Sequence, residues 1–277
     1  MFPIAHAWLV ERLVAEPRPA HYLGCVWPDM LFESPLTHPQ SHRSGMTLAR
    51  HAMAHSADVA FHDFVVGALT HGSQPRGFDW YSDEQYRAPL EVRGYAFQHG
   101  QPLASAAAAA CGLAEDQGWW KAHNLVEMAF ELTLFAERPA CGDHLAAACA
   151  DTALAEHVAA ALAQVFGVPA AALAHAMRRF PDVVAFRPAH VETLAAVYAA
   201  QVRHKHPESS PDRAAIARLI ERAHERIAPD YHTFLADSTL AVDAMLHETL
   251  PQRPAKSSRP SIPSRNDSGL LASDTRT

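Results

Sequence analysis

The stretch "LAAACADTALAEHVAAALAQVFG", residues 145–167, is rich in alanine and leucine. Alanine has the highest helix propensity, and its small side chain lets neighbouring helices approach closely. A second tract, "ASAAAAAC" at residues 104–111, has the same character. Both tracts predict a closely packed helical protein, and residues 142–166 are predicted to form one helix.

Working outward from this stretch, apolar residues recur at helical spacing along most of the chain. The segment from Gly24 to Gly45 contains three prolines and is predicted to be a structured loop. No segment alternates with period two for long enough to predict a strand. The fold class is therefore predicted to be all-α, a multi-helix bundle. Besides 142–166, the predicted helices cover residues 3–16, 47–70, 103–113, 118–136, 170–179, 188–202, 211–227 and 229–250.

The chain of 277 residues is 49% hydrophobic, which suffices for one large core. Residues 1–250 are predicted to form a single helical domain. The last segment, residues 251–277, is rich in proline and serine with almost no aliphatic residues. Such a composition buries too little apolar surface to fold, so this tail is predicted to be disordered.

The charge pattern argues against a duplex nucleic-acid partner. The net charge is -7, the pI is near 6.2, and no run of five basic residues occurs. Four cysteines are scattered without a CxxC pair, and the first residues do not resemble a signal peptide. No uncharged apolar stretch reaches 18 residues, so no transmembrane segment is predicted. A cytoplasmic location is the simplest expectation.

Histidine is unusually frequent, with 19 in the chain and eight of these within the first 71 residues. In "HNLVEMAFEL", residues 123–132, His123 and Glu127 are four apart and share one helix face. Their neighbours are apolar on most of the helix, which predicts burial, and a buried carboxylate needs a partner or a metal. The pair is a candidate metal site, although a helix with an ordinary polar face would carry the same residues.

Further candidate ligands lie near predicted helix ends or in the loops between helices. They are His6, Asp29, His38, His42 and His71. A helical bundle can gather such side chains into one metal site. In "YLGCVWPDM", residues 22–30, Pro28 has a fixed φ and biases Trp27 toward an extended conformation, which would help to hold Asp29 in place.

Over roughly the first 135 residues, the chain resembles the zinc-dependent phospholipases C and the related zinc-dependent single-strand nucleases. The resemblance lies in five segments and their order along the chain: "FPIAHAWL", "GCVWPDM", "SHRSG", "FVVGALTH" and "HNLVEMAFEL". It implies an all-helical fold of the phospholipase C type, with up to three zinc ions and a metal-bound water that attacks a phosphodiester.

Carried over by position, the resemblance implies that the metal ligands are His6, Asp29, His42, His71, His123 and Glu127. His42 fits the family's third ligand better than His38 does. Asp29 is implied to be a ligand and a possible general base. The implied function is a zinc-dependent, phospholipase C-like hydrolase acting on a small-molecule or lipid phosphoester.

The chain also departs from the family pattern. An aspartate usually follows the helix-ending histidine by four residues, and a further histidine comes later; here Pro75 occupies the first position. Asp79 or Asp83 could replace the bridging carboxylate if the loop folds back, and Asp79 is included among the predicted ligands. Secreted members use the amino terminus of a processed tryptophan, whereas this sequence starts with Met1. One metal site is therefore expected rather than a full three-metal cluster.

Two alternatives stay open from the sequence. The first is a non-catalytic helical structural or interaction protein that keeps a degenerate metal site. The second is a helical phosphohydrolase of the HD type, based on His55, His62 and Asp63 in "HSADVAFHDF". His51 and His55 form a further HxxxH pair, for which an exposed helix face is the simpler interpretation.

Overall fold

The computed structural model of the protein describes residues 3–30, 34–84 and 88–250. Within these ranges the chain forms α-helices and short 3-10 turns, and no strand occurs in them, so the all-α prediction is confirmed there. The predicted disordered tail, residues 251–277, lies outside the described residues. The helices are α1 (Pro3–Leu13), α2 (Pro19–Val26), α3 (His38–His42), α4 (Gly45–Ala54), α5 (Val59–His71), α6 (Phe78–Ser82), α7 (Tyr95–Gly100), α8 (Ala104–Cys111), α9 (Gly118–Glu137), α10 (Ala140–Ala150), α11 (Thr152–Phe166), α12 (Ala170–Arg179), α13 (Val191–Lys205), α14 (Arg213–Ile227) and α15 (Tyr231–Thr249).

The single helix predicted for residues 142–166 is wrong in one respect, because the structure divides it into α10 and α11. The two helices meet at an angle of 70°. Asp151 stands between them with an extended backbone, and its side chain accepts a hydrogen bond from Leu154 N at 2.9 Å. Aspartate is a favoured N-cap, so its position inside an alanine-rich tract starts a new helix. Gly167 ends α11 in the left-handed region at φ 67°.

Two more predictions of local structure are corrected. The predicted loop from Gly24 to Gly45 contains the last turn of α2, a 3-10 turn at Trp27–Asp29 and the short helix α3. The predicted helix over residues 47–70 is two helices, α4 and α5. Asp58 separates them as the N-cap of α5 and accepts a hydrogen bond from Phe61 N at 3.0 Å.

Glycine sets the distance between α2 and α5. A Cβ atom on Gly24 would lie 2.0 Å from the backbone oxygen of Phe64, and one on Gly67 would lie 2.1 Å from that of His21. Only glycine fits at such contacts, so the two backbones touch directly. This close packing brings the carboxyl end of α2, which leads to Asp29, beside the end of α5, which carries His71.

Helix α9 runs through the middle of the protein, and most of its side chains are buried. Its Glu131 is 1% exposed and accepts hydrogen bonds from the first backbone amides of α1, Ile4 N and Ala5 N, each at 3.1 Å. A carboxyl group at this end of a helix satisfies amides that have no partner within the helix. Glu131 therefore fixes the start of α1, one turn before His6.

One connected cluster of buried apolar side chains extends from Ile4 to Leu250. No single helix among the described residues is both long and apolar enough to cross a membrane. The bent pair α10 and α11 meets those requirements of length and composition only when the two helices are taken together.

Candidate metal centre

The rings of His6 and His71 stack at the centre of the candidate metal site, with their centroids 3.7 Å apart. Both side chains are fully buried. His71 donates its Nδ1–H to the Cys25 carbonyl at 2.6 Å, which turns Nε2 toward the site. A histidine metal ligand is oriented in this way when its second nitrogen bonds to a backbone carbonyl.

Asp79 reaches this pair because the loop after α5 folds back on itself. Gly77 N donates to Gly72 O at 2.7 Å, and α6 starts directly afterwards. An Asp79 carboxylate oxygen lies 3.0 Å from His71 Nε2, and the other lies 3.5 Å from His6 Nε2. Asp79 was predicted to be a ligand only if this loop folds back, and in the structure the loop does so.

His42 and Asp29 complete the arrangement from the opposite side. His42 Nε2 lies 3.5 Å from Asp79 Oδ2 and 3.7 Å from Asp29 Oδ1. Ser41 Oγ contacts His42 Nδ1 at 2.7 Å, so Nε2 again faces the carboxylates. Asp29 Oδ2 is 3.9 Å from His71 Nε2, and the Asp29 side chain is 18% exposed. Asp29 is the most solvent-accessible member of this central cluster, which we define as His6, Asp29, His42, His71 and Asp79.

The electrostatics of the central cluster favour a neutral His6 and an ionised Asp79, while the pKa of His71 is raised because the adjacent Asp79 and Asp29 outweigh its burial. Burial and the neighbouring His71 ring hold the pKa of His6 well below its usual value, so His6 is neutral and offers a lone pair. Burial alone would raise the pKa of Asp79, but the adjacent His71, His6 and His42 outweigh it and lower the pKa to about 2. Asp79 is therefore ionised throughout the neutral range.

The spacing of these atoms matches metal coordination. Two ligand atoms that each lie about 2.0–2.1 Å from a tetrahedral zinc are about 3.4 Å from one another. The described residues contain three groups whose ligand atoms all lie within 4.8 Å of each other. Two of the three groups belong to the central cluster, namely His6–Asp29–His71 and His42–His71–Asp79, and they share His71. Imidazole and carboxylate donors suit zinc, manganese and iron.

The third group consists of Asp83, His123 and Glu127, which we call the lateral cluster. His123 Nε2 lies 3.7 Å from Glu127 Oε1, as expected for residues four apart on α9. Burial lowers the pKa of His123 to about 4 despite the nearby Glu127, so His123 is neutral. Burial and the facing Glu127 carboxylate raise the pKa of Asp83 well above its usual value. A divalent cation between the two carboxylates would remove this repulsion.

The structure thus brings all seven predicted ligands into two clusters, and it adds Asp83, which the predicted ligand set lacked. The sequence feature that could have identified Asp83 as a ligand is its position four residues after Asp79. Its backbone N–H donates to Asp79 O at 2.8 Å, so both carboxylates come from one turn of chain and serve neighbouring clusters. Among the described residues three groups could hold a metal ion, and two of these groups share His71.

The alternative sites from the sequence do not assemble among the described residues. Asp63 is engaged by Arg18, whose Nη2 donates to Asp63 Oδ1 at 2.6 Å, and it forms no three-residue metal group with His55 and His62. His51 and His55 stack with their ring centroids 4.2 Å apart, and His55 is exposed.

The ring of His38 stacks on that of His42, with the centroids 3.8 Å apart, but His38 belongs to none of the three groups. Met1 lies outside the described residues.

A cavity of about 790 Å³ connects both clusters to solvent. Asp29, His42 and Asp79 of the central cluster line it, and so do all three residues of the lateral cluster. Trp120 stands at its rim with 38% of its surface exposed and its ring 4.7 Å from that of His123. On the far side, α13 contributes a wall that includes Leu194, Val197 and Tyr198. Both clusters are therefore accessible to one and the same ligand.

Comparisons with known proteins identify no family for the chain. No protein-family model matches the chain, and no curated protein or solved structure matches it with significance.

Proposed function

We propose that the protein is a metal-dependent hydrolase of phosphoester bonds that uses zinc and acts in the manner of a phospholipase C. The observation that carries the proposal is that three groups of histidine and carboxylate ligands open into one cavity. The order of the ligands along the chain, which resembles that of the zinc-dependent phospholipases C and single-strand nucleases, supports it.

The chemistry of the ligand set favours a phosphoester over a neutral substrate. Six carboxyl groups line the cavity: Asp29, Asp79, Asp83, Glu84, Glu127 and Glu131. The ionised carboxylates among them, such as Asp79, would repel an anionic phosphate if no cation were bound. Closely spaced divalent ions in such a site neutralise the attacking and leaving oxygens of a phosphoryl group. The residues present therefore fit a site that holds more than one cation and receives an anion.

Each residue has a role that follows from its surroundings. When bound, a zinc ion polarises a phosphoryl oxygen and lowers the pKa of water to about 7. His71 and His42 would hold metal through Nε2 because Nδ1 of each contacts another protein group. Asp79, buried and ionised, would hold metal together with His42 and His71.

Asp29 is assigned as the general base. Its carboxylate is the most exposed in the central cluster and makes the longest contacts, 3.7 Å to His42 and 3.9 Å to His71. It also lines the cavity from which water and substrate arrive. A loosely held, ionised carboxylate in this position can accept a proton from the attacking water.

Hydrolysis of bis(p-nitrophenyl) phosphate by zinc-reconstituted protein tests the proposal. We expect metal-dependent turnover in the wild type and a loss of about 100-fold or more in His42→Ala and Glu127→Ala, because each removes a ligand. His247→Ala, on the exposed side of α15, is the matched control and should keep full activity. A protein that binds zinc but hydrolyses no phosphodiester would instead support the non-catalytic alternative, and equal activity in all variants would dismiss these ligands.

A further inference from the structure

Lys121 is a buried cation in the same cavity as the metal ligands. It is 6% exposed and lies on α9, with its side chain lining the cavity. Lysine is almost never buried to this degree unless its charge is compensated. The question is which group compensates Lys121.

The described residues provide no carboxylate for it. Lys121 Nζ lies 3.3 Å from His206 Nε2, which is a ring nitrogen and not a carboxylate. The charged neighbour that acts on it most strongly is another cation, Lys205, which also lines the cavity. In contrast, Arg43, which lines the cavity as well, has a carboxylate partner in Glu84 at 3.5 Å.

Two cations thus share a wall of the cavity with no carboxylate partner within the described residues. Lys205, at the end of α13, is exposed, whereas Lys121 lies deeper. The arrangement brings a positive region and an acidic, metal-binding region into one cavity of about 790 Å³. A ligand that carries two anionic groups would match both regions.

We propose that Lys121 and Lys205 form a subsite for a second anionic group of the substrate, separate from the phosphoester that is cleaved. This inference rests on the proposed function and narrows it, since the substrate class becomes phosphoesters that carry an additional phosphate or carboxylate. Lys121 is assigned the main role because an ion pair with a buried ammonium is stronger than one at the surface. Lys205 steers the anion into the cavity.

Binding of alkane-α,ω-diphosphonates to the zinc-loaded protein, measured by calorimetry, tests the subsite. One phosphonate occupies the metal region, and the chain length is varied from two to eight carbons so that the second can reach Lys121. We expect the best diphosphonate to bind about 10-fold or more tightly than the alkylphosphonate of the same length. A parallel series of ω-carboxyalkylphosphonates shows whether the subsite prefers phosphate or carboxylate.

The variants make the test specific. Lys121→Met should abolish the preference for the diphosphonate and leave alkylphosphonate affinity unchanged, whereas Lys205→Met should reduce the preference about threefold. Lys121→Arg should retain it. Arg218→Met, an exposed cation of α14 outside the cavity, is the matched control and should behave as wild type. Thermal unfolding of each variant shows that it is folded.

Equal affinity of wild type for both ligand types at every chain length would overturn the inference, and so would a preference that survives Lys121→Met. The proposed function fails by a different result, the absence of phosphodiester hydrolysis. Diphosphonate binding requires no turnover, so the two failures are distinguishable.

Discussion

His71 and His42 each use Nδ1 for a contact with the protein, to the Cys25 carbonyl and to Ser41 Oγ, and so turn Nε2 toward the carboxylates. The presence of these histidines near helix ends could be predicted from the sequence. Their orientation could not, because it depends on a carbonyl 46 residues away from His71. The His123–Glu127 pair was predictable in full, since a spacing of four residues is enough to bring both onto one face of a helix.

The buried side chain of Glu131 should make the free energy of unfolding depend on pH. Burial raises its pKa from 4.5 to about 8, and the hydrogen bonds from Ile4 N and Ala5 N offset this only in part. Between these two pH values the folded protein binds more protons than the unfolded chain, so the free energy of unfolding decreases as pH rises. Glu131→Gln cannot ionise and should escape this decrease.

Urea unfolding of the metal-free wild type and of Glu131→Gln at pH 5, 6.5 and 8 checks the prediction. The variant should gain stability relative to wild type as pH rises, by about 1–3 kcal/mol over this interval. Comparison of the two proteins cancels the titration of the histidines. A difference that stays constant between pH 5 and pH 8 would contradict a raised pKa for Glu131.

At the scale of helices, the site depends on the direct backbone contact between α2 and α5. The sequence predicted one helix over residues 47–70, which includes most of α5, but interpreted Gly24 as a break between helices. Gly24 lies inside α2 and faces Phe64, while Gly67 of α5 faces His21. A glycine that lets two helices touch and a glycine that ends a helix look the same in one sequence, which is why this contact could not be predicted.

Gly67→Ala should therefore destabilise the protein by about 3 kcal/mol or more, because the added Cβ would lie 2.1 Å from a backbone oxygen. Chemical denaturation followed by circular dichroism gives the free energy of unfolding. Ala147→Gly, at an exposed position of α10, calibrates the cost of glycine in a helix at about 1 kcal/mol. A Gly67→Ala protein within about 0.5 kcal/mol of wild type would show that the helices can separate without cost.

Asp151, at the boundary between α10 and α11, should stabilise the protein as the N-cap of α11. Asp151→Ala removes the acceptor of the Leu154 N–H and should lower the free energy of unfolding by about 1 kcal/mol. The same substitution at Asp237, an exposed position within α15, should change it by less than about 0.5 kcal/mol. Equal effects at both positions in thermal denaturation would mean that Asp151 does not act as a cap.

For the molecule as a whole, the all-helical architecture followed from propensity and periodicity, while the assembly of the site did not. Its ligands come from α1, α3, α5, α6 and α9 and from the turn after α2. Their order along the chain was sufficient to nominate six of them through a family resemblance, and Asp79 was added as a replacement for the family's missing aspartate. Whether they meet depends on tertiary contacts, above all the fold-back of residues 72–77, which no local pattern encodes. For this reason Asp83 was not included among the predicted ligands.

The zinc content of the reconstituted protein after dialysis, measured by inductively coupled plasma mass spectrometry, tests the central claim most directly. We predict about two equivalents in wild type, one in the central cluster and one in the lateral cluster, because the two central groups share His71, whose Nε2 can bind one ion. Asp83→Asn should lose about one equivalent, because only the lateral cluster contains it, and Asp79→Asn should reduce the zinc held by the central cluster. The exposed Asp143→Asn should match wild type. Less than about half an equivalent in wild type, or the same content in all three variants, would contradict the account.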